Sequence, residues 1–255
     1  MPVLSRTALL ATALILMTGP ALGADLVRES RSVDARITKV KLDGIVDLVV
    51  RQGASASLVV SGERGYVQHI TTAQRGDTLE IGTESLNRRN GKMQEKLRAE
   101  LTVPNLAEFD SQGVGAATVT GFSGEAVRLA LDGAGSVTLD SRYRNIDAHL
   151  GGVGAMTLNG VRAERVDLSL GGAGRIQVSG ESKALRASMA GVGSLDAQGL
   201  RTESVDLDIS GLGGATVHAS RAAEVDLNGM GSATVYGKPA SRKVNTSGMG
   251  RVAWK

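Results

Sequence analysis

The sequence has no cysteine, only four prolines, and aromatic residues that make up just 2% of its 255 positions. Without cysteine, the chain can form neither disulfides nor a cysteine-based zinc site. Collagen is excluded because proline is scarce and glycine does not recur at every third position. The net charge of +3 comes from 29 basic and 26 acidic residues, a balance that favours neither a charge-swollen disordered chain nor a nucleic-acid-binding protein.

Glycine is abundant, with 34 residues, and the hydrophobic fraction of 42% comes mostly from aliphatic side chains. Such a chain has enough apolar material to bury a core, but the core must be built from valine, leucine, alanine and methionine. This composition predicts a folded β protein that glycine interrupts at its turns.

The first 23 residues have the three parts of a secretory signal peptide in the usual order. Arg6 supplies the positive charge, residues 8–18 form an apolar run, and Ala21-Leu22-Gly23 is a small-x-small cleavage site. Eleven apolar residues are too few to span a bilayer, and no later stretch approaches that length, so no membrane insertion is expected. The sequence predicts cleavage after Gly23 and export to the periplasm, the cell surface or the medium.

A glycine-apolar-glycine triplet recurs eight times in the second half of the chain, at steps of 18 to 20 residues. The triplets begin at Gly113, Gly133, Gly152, Gly172, Gly191, Gly211, Gly229 and Gly248. Residues on both sides of each triplet alternate between apolar and polar, which predicts two short strands per repeat and no helix. Self-similarity at a fixed short period indicates a solenoid.

Aligned by their triplets, the repeats place matching side chains in columns. An apolar column that should point inward contains Val119, Leu139, Leu158, Val178, Val217, Val235 and Trp254. A neighbouring threonine column, which includes Thr157, should face outward. The expected fold is therefore all-β, a right-handed parallel β-solenoid of about eight coils with a narrow core roughly 40 Å long.

Residues 24–106 lack the triplet and should form an irregular β cap on the solenoid of residues 107–255, and the two parts are expected to form one continuous domain. Strands are predicted at residues 45–50, 57–61, 78–81 and 100–103. The charged stretch from Asn87 to Arg98 is interpreted as a solvated loop or short surface helix, with a basic functional patch as the alternative.

Three short segments of the cap region, followed by the glycine repeats, resemble the head GIN domain family (DUF2807). The segments are residues 43–48, 76–81 and 101–106, and the similarity extends from about Val40 to Lys255. At the position of the Gly-Ile-Asn for which the family is named, this chain has Gly44-Ile45-Val46. The resemblance implies a β-helical fold and the role of an adhesin head in an exported bacterial protein, and it supplies no catalytic residues.

No cofactor or metal site is expected from the glycine repeats or the histidines. A phosphate-binding glycine loop opens a helix, whereas each triplet here leads into a strand. Calcium-binding repeats need an aspartate where Ile176 and Met156 stand. The three histidines, His69, His149 and His218, fall in different columns and lack cysteine partners.

One charged column offers candidate functional residues on a lateral face of the solenoid. Its acidic members are Asp147, Asp167, Asp206 and Glu224, and basic residues at the neighbouring positions, Arg128, Arg186 and Lys243, are expected to neutralise them. The favoured function is a non-enzymatic adhesive or structural scaffold that binds a glycan or another cell-surface polymer. The alternative is a polysaccharide lyase or hydrolase that uses Asp147 and Asp167 as an acid/base pair. The oligomeric state is left open.

Overall fold

A computed structural model describes residues 26–84 and 97–255. The predicted signal peptide and most of the charged stretch from Asn87 to Arg98 lie outside these residues. In chain order the strands are β1 (Leu26–Arg31), β2 (Lys39–Asp43), β3 (Asp47–Gln52), β4 (Ser57–Glu63), β5 (Ile70–Arg75), β6 (Thr78–Thr83), β7 (Arg98–Val103), β8 (Glu108–Ser111), β9 (Val114–Leu131), β10 (Ala134–Leu150), β11 (Val153–Leu170), β12 (Ala173–Met189), β13 (Val192–Ile209), β14 (Leu212–Leu227), β15 (Ser232–Tyr236), β16 (Ser241–Thr246) and β17 (Arg251–Trp254). A single short helix, α1 (Arg64–Val67), lies between β4 and β5 within the described residues.

The predicted all-β parallel solenoid is confirmed. Strands make up 76% of the described residues, and β9 to β14 stack in parallel, each forming one complete coil. Strands β15 and β16 form the next coil, and β17 begins another that the chain does not complete. The solenoid thus has about seven turns, slightly fewer than the eight that the triplets suggested, because the last triplet starts an incomplete coil.

The N-terminal region extends both faces of the solenoid. On one face β3 lies parallel to the first half of β9, with β7, β4 and β1 continuing outward. On the other face β8 lies parallel to the second half of β9, and β2, β6 and β5 follow. The four predicted strands are present as β3, β4, β6 and β7, whereas β1, β2, β5 and the helix were not predicted. The division at residue 106 stays a prediction.

The core is the inward apolar column, as the alternation predicted. Val119, Leu139, Leu158 and Val178 are aligned in register on successive coils and are almost fully buried. Ala197 continues this column between Val178 and Val217, and Trp254 at its far end is only half-buried. Stacking of like side chains along one axis keeps the apolar surface continuous, which no isolated coil could do.

The glycine triplets allow the coils to approach closely at the turn. From the second triplet to the sixth, the backbone amide of the central residue donates to the carbonyl of the first glycine one coil earlier, as from Val153 to Gly133 at 3.0 Å and from Ala173 to Gly152 at 3.0 Å. A Cβ on Gly154 would lie far closer to the Gly135 carbonyl oxygen than a van der Waals contact allows. Glycine is therefore required by the packing of backbone against backbone.

Buried aromatic residues concentrate where the solenoid meets the cap, in β8, β9 and β10. Phe109, Phe122 and Tyr143 are each at most 2% exposed. The Tyr143 hydroxyl donates a hydrogen bond of 2.8 Å to the carbonyl of Leu106, and burial raises the pKa of this phenol well above its usual value of 10.0. Tyr143 thus fastens the second coil to the segment that enters the solenoid.

Replacing Tyr143 with phenylalanine should lower the free energy of unfolding by about 1–2 kcal/mol at neutral pH, because the buried Leu106 carbonyl loses its donor. Because the pKa of the Tyr143 phenol is higher in the folded protein than in the unfolded chain, its stabilising contribution is complete at pH values below the unfolded pKa of about 10. The contribution decreases as the pH rises from the unfolded pKa towards the folded pKa. The difference between the parent and Tyr143→Phe should therefore shrink in denaturant titrations between about pH 9 and pH 11. A difference that stays constant over this range would contradict the assignment.

Candidate functional site

The structure aligns the predicted charged column in one row across the lateral face. Asp147 lies beside Asp167 in the β10–β11 register, and Asp206 lies beside Glu224 in the β13–β14 register. The whole row, from the cap end, is Glu108, Arg128, Asp147, Asp167, Arg186, Asp206, Glu224 and Lys243. Sequence alignment by triplets placed these residues correctly because every coil has nearly the same length.

Ion pairs hold three of the four acidic candidates. Asp206 lies 3.6 Å from Arg186, and Glu224 lies 2.5 Å from Lys243, as the column predicted. The Glu224 carboxylate raises the pKa of the Lys243 ammonium through their hydrogen bond and charge attraction. Asp167 differs from the expectation, since its partner is Arg165 on the same strand, at 3.7 Å, and not Arg186.

The acidic candidates are also exposed to solvent. The side chains of Asp167, Asp206 and Glu224 retain 39%, 55% and 43% of their accessible surface. A cavity of about 410 Å³ borders the second acidic pair, and Arg165, Arg186 and Lys243 contribute cations to its lining. A general acid on a glycan needs a carboxyl in an apolar pocket or beside a second, unneutralised carboxylate, and the geometry of these three side chains provides neither.

A second charged row runs along another corner of the coils, and sequence analysis missed it. Its side chains alternate in sign from coil to coil: Glu125, Arg144, Glu164, Lys183, Glu203 and Arg221. Arg144 bridges Glu125 at 3.3 Å and Glu164 at 3.2 Å, and Lys183 lies 3.0 Å from Glu164. The hydrogen bond from Lys183, followed by that from Arg144, lowers the pKa of the Glu164 carboxyl. The alternation of sign at the repeat period was the signal that could have revealed this row.

The central residues of the glycine triplets form an exposed apolar ridge along the solenoid. Val153 retains 63% of its surface, and Met249 retains 83%. The large exposed side chains of the ridge are Val114, Val153, Val192, Leu212, Met230 and Met249, and Ile45, which bridges to Val114, continues the ridge into the cap region. Repeated hydrophobic exposure of this kind is uncommon on a protein surface and usually marks a contact. The sequence showed the column but not its outward direction, which the tight glycine turn imposes.

Within residues 26–84 and 97–255, no three histidine, aspartate or glutamate side chains are grouped so that they could hold a metal ion. His149 lies 3.5 Å from Asp132, while His69 and His218 lie in other parts of the fold. Over the same two ranges, no helix has the length and apolar character needed to cross a membrane.

The fold and its regularly repeated surface define a parallel β-solenoid whose side chains form rows along its axis. Residues 36–239 match the family model described as "Putative auto-transporter adhesin, head GIN domain". The chain therefore belongs to the head GIN domain family, DUF2807, as the resemblance of its cap segments indicated.

Solved structures with the same fold come from two species of Parabacteroides. A "putative adhesin" from Parabacteroides merdae aligns with a TM-score of 0.78 at 18% identity, over 91% of this chain and 96% of that one. A "putative adhesin" from Parabacteroides distasonis gives a TM-score of 0.77 at 19% identity, covering 91% and 98%. A "putative lipid binding protein" from P. distasonis gives 0.78 at 17%, covering 91% and 97%. No curated protein matches the chain.

Proposed function

We propose that this protein is an exported, non-catalytic scaffold that binds a polymer of the cell envelope or cell surface through its lateral faces. The observation that carries the proposal is the periodic surface. Charged rows and the apolar ridge recur at every coil, so a polymer with repeating units could make the same weak contact many times. Contacts that are individually weak add up to firm attachment when they act on one linked ligand.

The family and the fold support an adhesive role, since the matching model and two of the aligned structures carry the word adhesin in their descriptions. Export rests on the predicted signal peptide of residues 1–23. The state of the acidic column argues for binding and against turnover, because Asp167, Asp206 and Glu224 are exposed and paired with cations.

The test compares product release with binding, using mature protein recovered from the periplasm or medium. Its intact mass shows whether cleavage follows Gly23. Incubation with envelope and surface polysaccharides should release no reducing ends and no unsaturated sugars. In a co-sedimentation assay, the protein should be found in the pellet with at least one of these polymers. The double variant Asp147→Asn with Asp167→Asn should be equally inactive and should remain folded.

A matched control removes two charges from the same face outside the acidic column, by Asp208→Asn with Asp226→Asn, which are neighbours in the β13–β14 register. Cleavage by the parent that is abolished in the Asp147/Asp167 variant, but retained in this control, would establish the polysaccharide-active alternative in place of the scaffold.

A further inference from the structure

A groove of about 720 Å³ lies at the corner opposite the glycine triplets and extends over five successive coils, from β9 to β13. Its charged lining consists of Arg142, Arg162, Arg201, Asp140 and Glu181. At about 4.8 Å per coil, the groove is roughly 20 Å long. The groove is separate from the charged column that contains Asp147 and Asp167, because no residue of that column lines the groove.

The groove exists because the coils lose register at this corner. Each pairing of neighbouring coils from β9 to β14 has an irregularity here, for example between Asp140 and Arg142 and between Leu158 and Val161. An extra residue leaves the ladder locally unpaired and bends the strand away from its neighbour. Gly121 and Gly160 line the groove, and a Cβ on either would have no heavy atom within 4 Å, so the space beside them is open.

Three exposed arginines in the groove lack ion-pair partners among the described residues. Glu181 lies between Arg162 and Arg201 in the register, so the two arginines are two coil steps apart, about 10 Å. No carboxylate lies within ion-pair distance of Arg142, Arg162 or Arg201 in residues 26–84 and 97–255, whereas Arg144 and Arg221 on the alternating row are both paired. The guanidinium groups of the groove are thus free to bind an external anion.

The groove contains both arginines and carboxylates, and this combination indicates the chemistry of the ligand more closely than the net charge of the groove does. Arginine forks form bidentate hydrogen bonds with carboxylates. Asp140, Glu181 and the hydroxyl of Thr120 can accept hydrogen bonds from sugar hydroxyls, as in polar ligand sites generally. The same carboxylates would repel a densely charged polyanion such as a nucleic acid or polyphosphate.

We propose that this groove binds an acidic polysaccharide, with its uronic acid carboxylates on Arg142, Arg162 and Arg201 and its hydroxyl groups on Asp140 and Glu181. This inference rests on the proposed scaffold function and names the chemistry of its ligand. The chain of sugars would run along the solenoid axis, so that its acidic units meet the arginines of β10, β11 and β13, with Glu181 of β12 between Arg162 and Arg201.

The test measures binding of the mature protein to alginate and polygalacturonate, with dextran as the neutral glycan and polyglutamate as a polyanion that lacks hydroxyl groups. The two acidic glycans should bind, and dextran and polyglutamate should bind at least tenfold more weakly. Arg162→Ala with Arg201→Ala should weaken glycan binding at least tenfold, and the corresponding pair of lysine substitutions should restore only part of it, because lysine keeps the charge but loses the fork.

Two controls separate the groove from general charge. Arg175→Ala with Arg251→Ala removes two exposed arginines that lie outside the groove and both charged rows, and should leave binding within about twofold of the parent. Gly160 has a φ of +61°, a conformation that asparagine and aspartate tolerate. Gly160→Asp should therefore weaken binding by placing a carboxylate in the groove, while Gly160→Asn should not. Thermal unfolding of each variant confirms that it is folded.

Equal loss of binding in the groove and control arginine pairs would overturn the proposal, as would equal affinity for polyglutamate and alginate. Absence of binding to both acidic glycans would overturn it as well. If the protein still binds envelope polymers without cleaving them, and the groove variants bind them normally, the acidic-glycan groove is wrong while the scaffold function stands. Cleavage of a polymer by the parent would instead refute the scaffold function.

Discussion

Replacing Gly174 with valine is expected to destabilise the protein by roughly 3–5 kcal/mol, which is in the range of the most damaging single substitutions. A Cβ at this position would penetrate the carbonyl oxygen of Gly154 on the coil below and would lie 2.9 Å from the Leu150 Cδ2. Backbone cannot give way as a flexible side chain can, so the two coils must separate. Separation would break the hydrogen bonds that join consecutive triplets.

The matched control for this change is Gly171→Ala, three residues earlier in the same coil. A Cβ on Gly171 would have no heavy atom within 4 Å, and its backbone is outside the left-handed region. Alanine there should leave the free energy of unfolding within about 1 kcal/mol of the parent and could raise it slightly, because the unfolded chain loses freedom. Chemical denaturation of both variants provides the measurement. Equal midpoints for Gly174→Val and the parent would refute the role assigned to the triplet.

Truncating Leu158 to alanine should cost about 2–5 kcal/mol, the range for removing a large side chain from a packed core. Leu158 is fully buried in the middle of the inward column, between Leu139 and Val178 on the adjacent coils. Backbone hydrogen bonds on both sides fix the spacing of those coils, so the cavity cannot collapse. Urea denaturation should show the loss as a lower midpoint with a similar slope.

The adjacent residue Thr157 provides the control, since it lies in the same strand but faces outward. Thr157→Ser keeps the hydroxyl and removes one methyl group from the threonine column, which should cost less than about 1 kcal/mol. If Leu158→Ala and Thr157→Ser reduced stability equally, the assignment of inward and outward faces would be wrong.

The solenoid could be predicted from the sequence because its determinants are local and repeated. A side chain in a strand points opposite to its neighbours, so the apolar positions around Leu158 identify the buried face directly. The constant step between triplets fixes which residues align across coils, so the sequence alone places the row from Arg128 to Lys243 correctly. Repetition turned a weak short-range signal into a reliable one.

Other features of the surface were not predictable from the sequence. Asp167 pairs with Arg165 and not with Arg186, because the direction of a long side chain depends on rotamers and neighbours that the column does not specify. The cap strands β1, β2 and β5 were also missed, since they occur once each and pair antiparallel or across distant segments.

The sequence by itself determined the class of fold, the period of the coil and the residues that share each row, since alternation and glycine spacing act along the chain. The tertiary structure alone decided where the arginine groove opens and how the apolar ridge is exposed. Both features depend on how one coil stacks on the next. At the groove, an extra residue shifts the register of neighbouring coils locally. At the ridge, the glycine turn directs the side chains outward, a direction that the two-residue alternation of a strand does not specify.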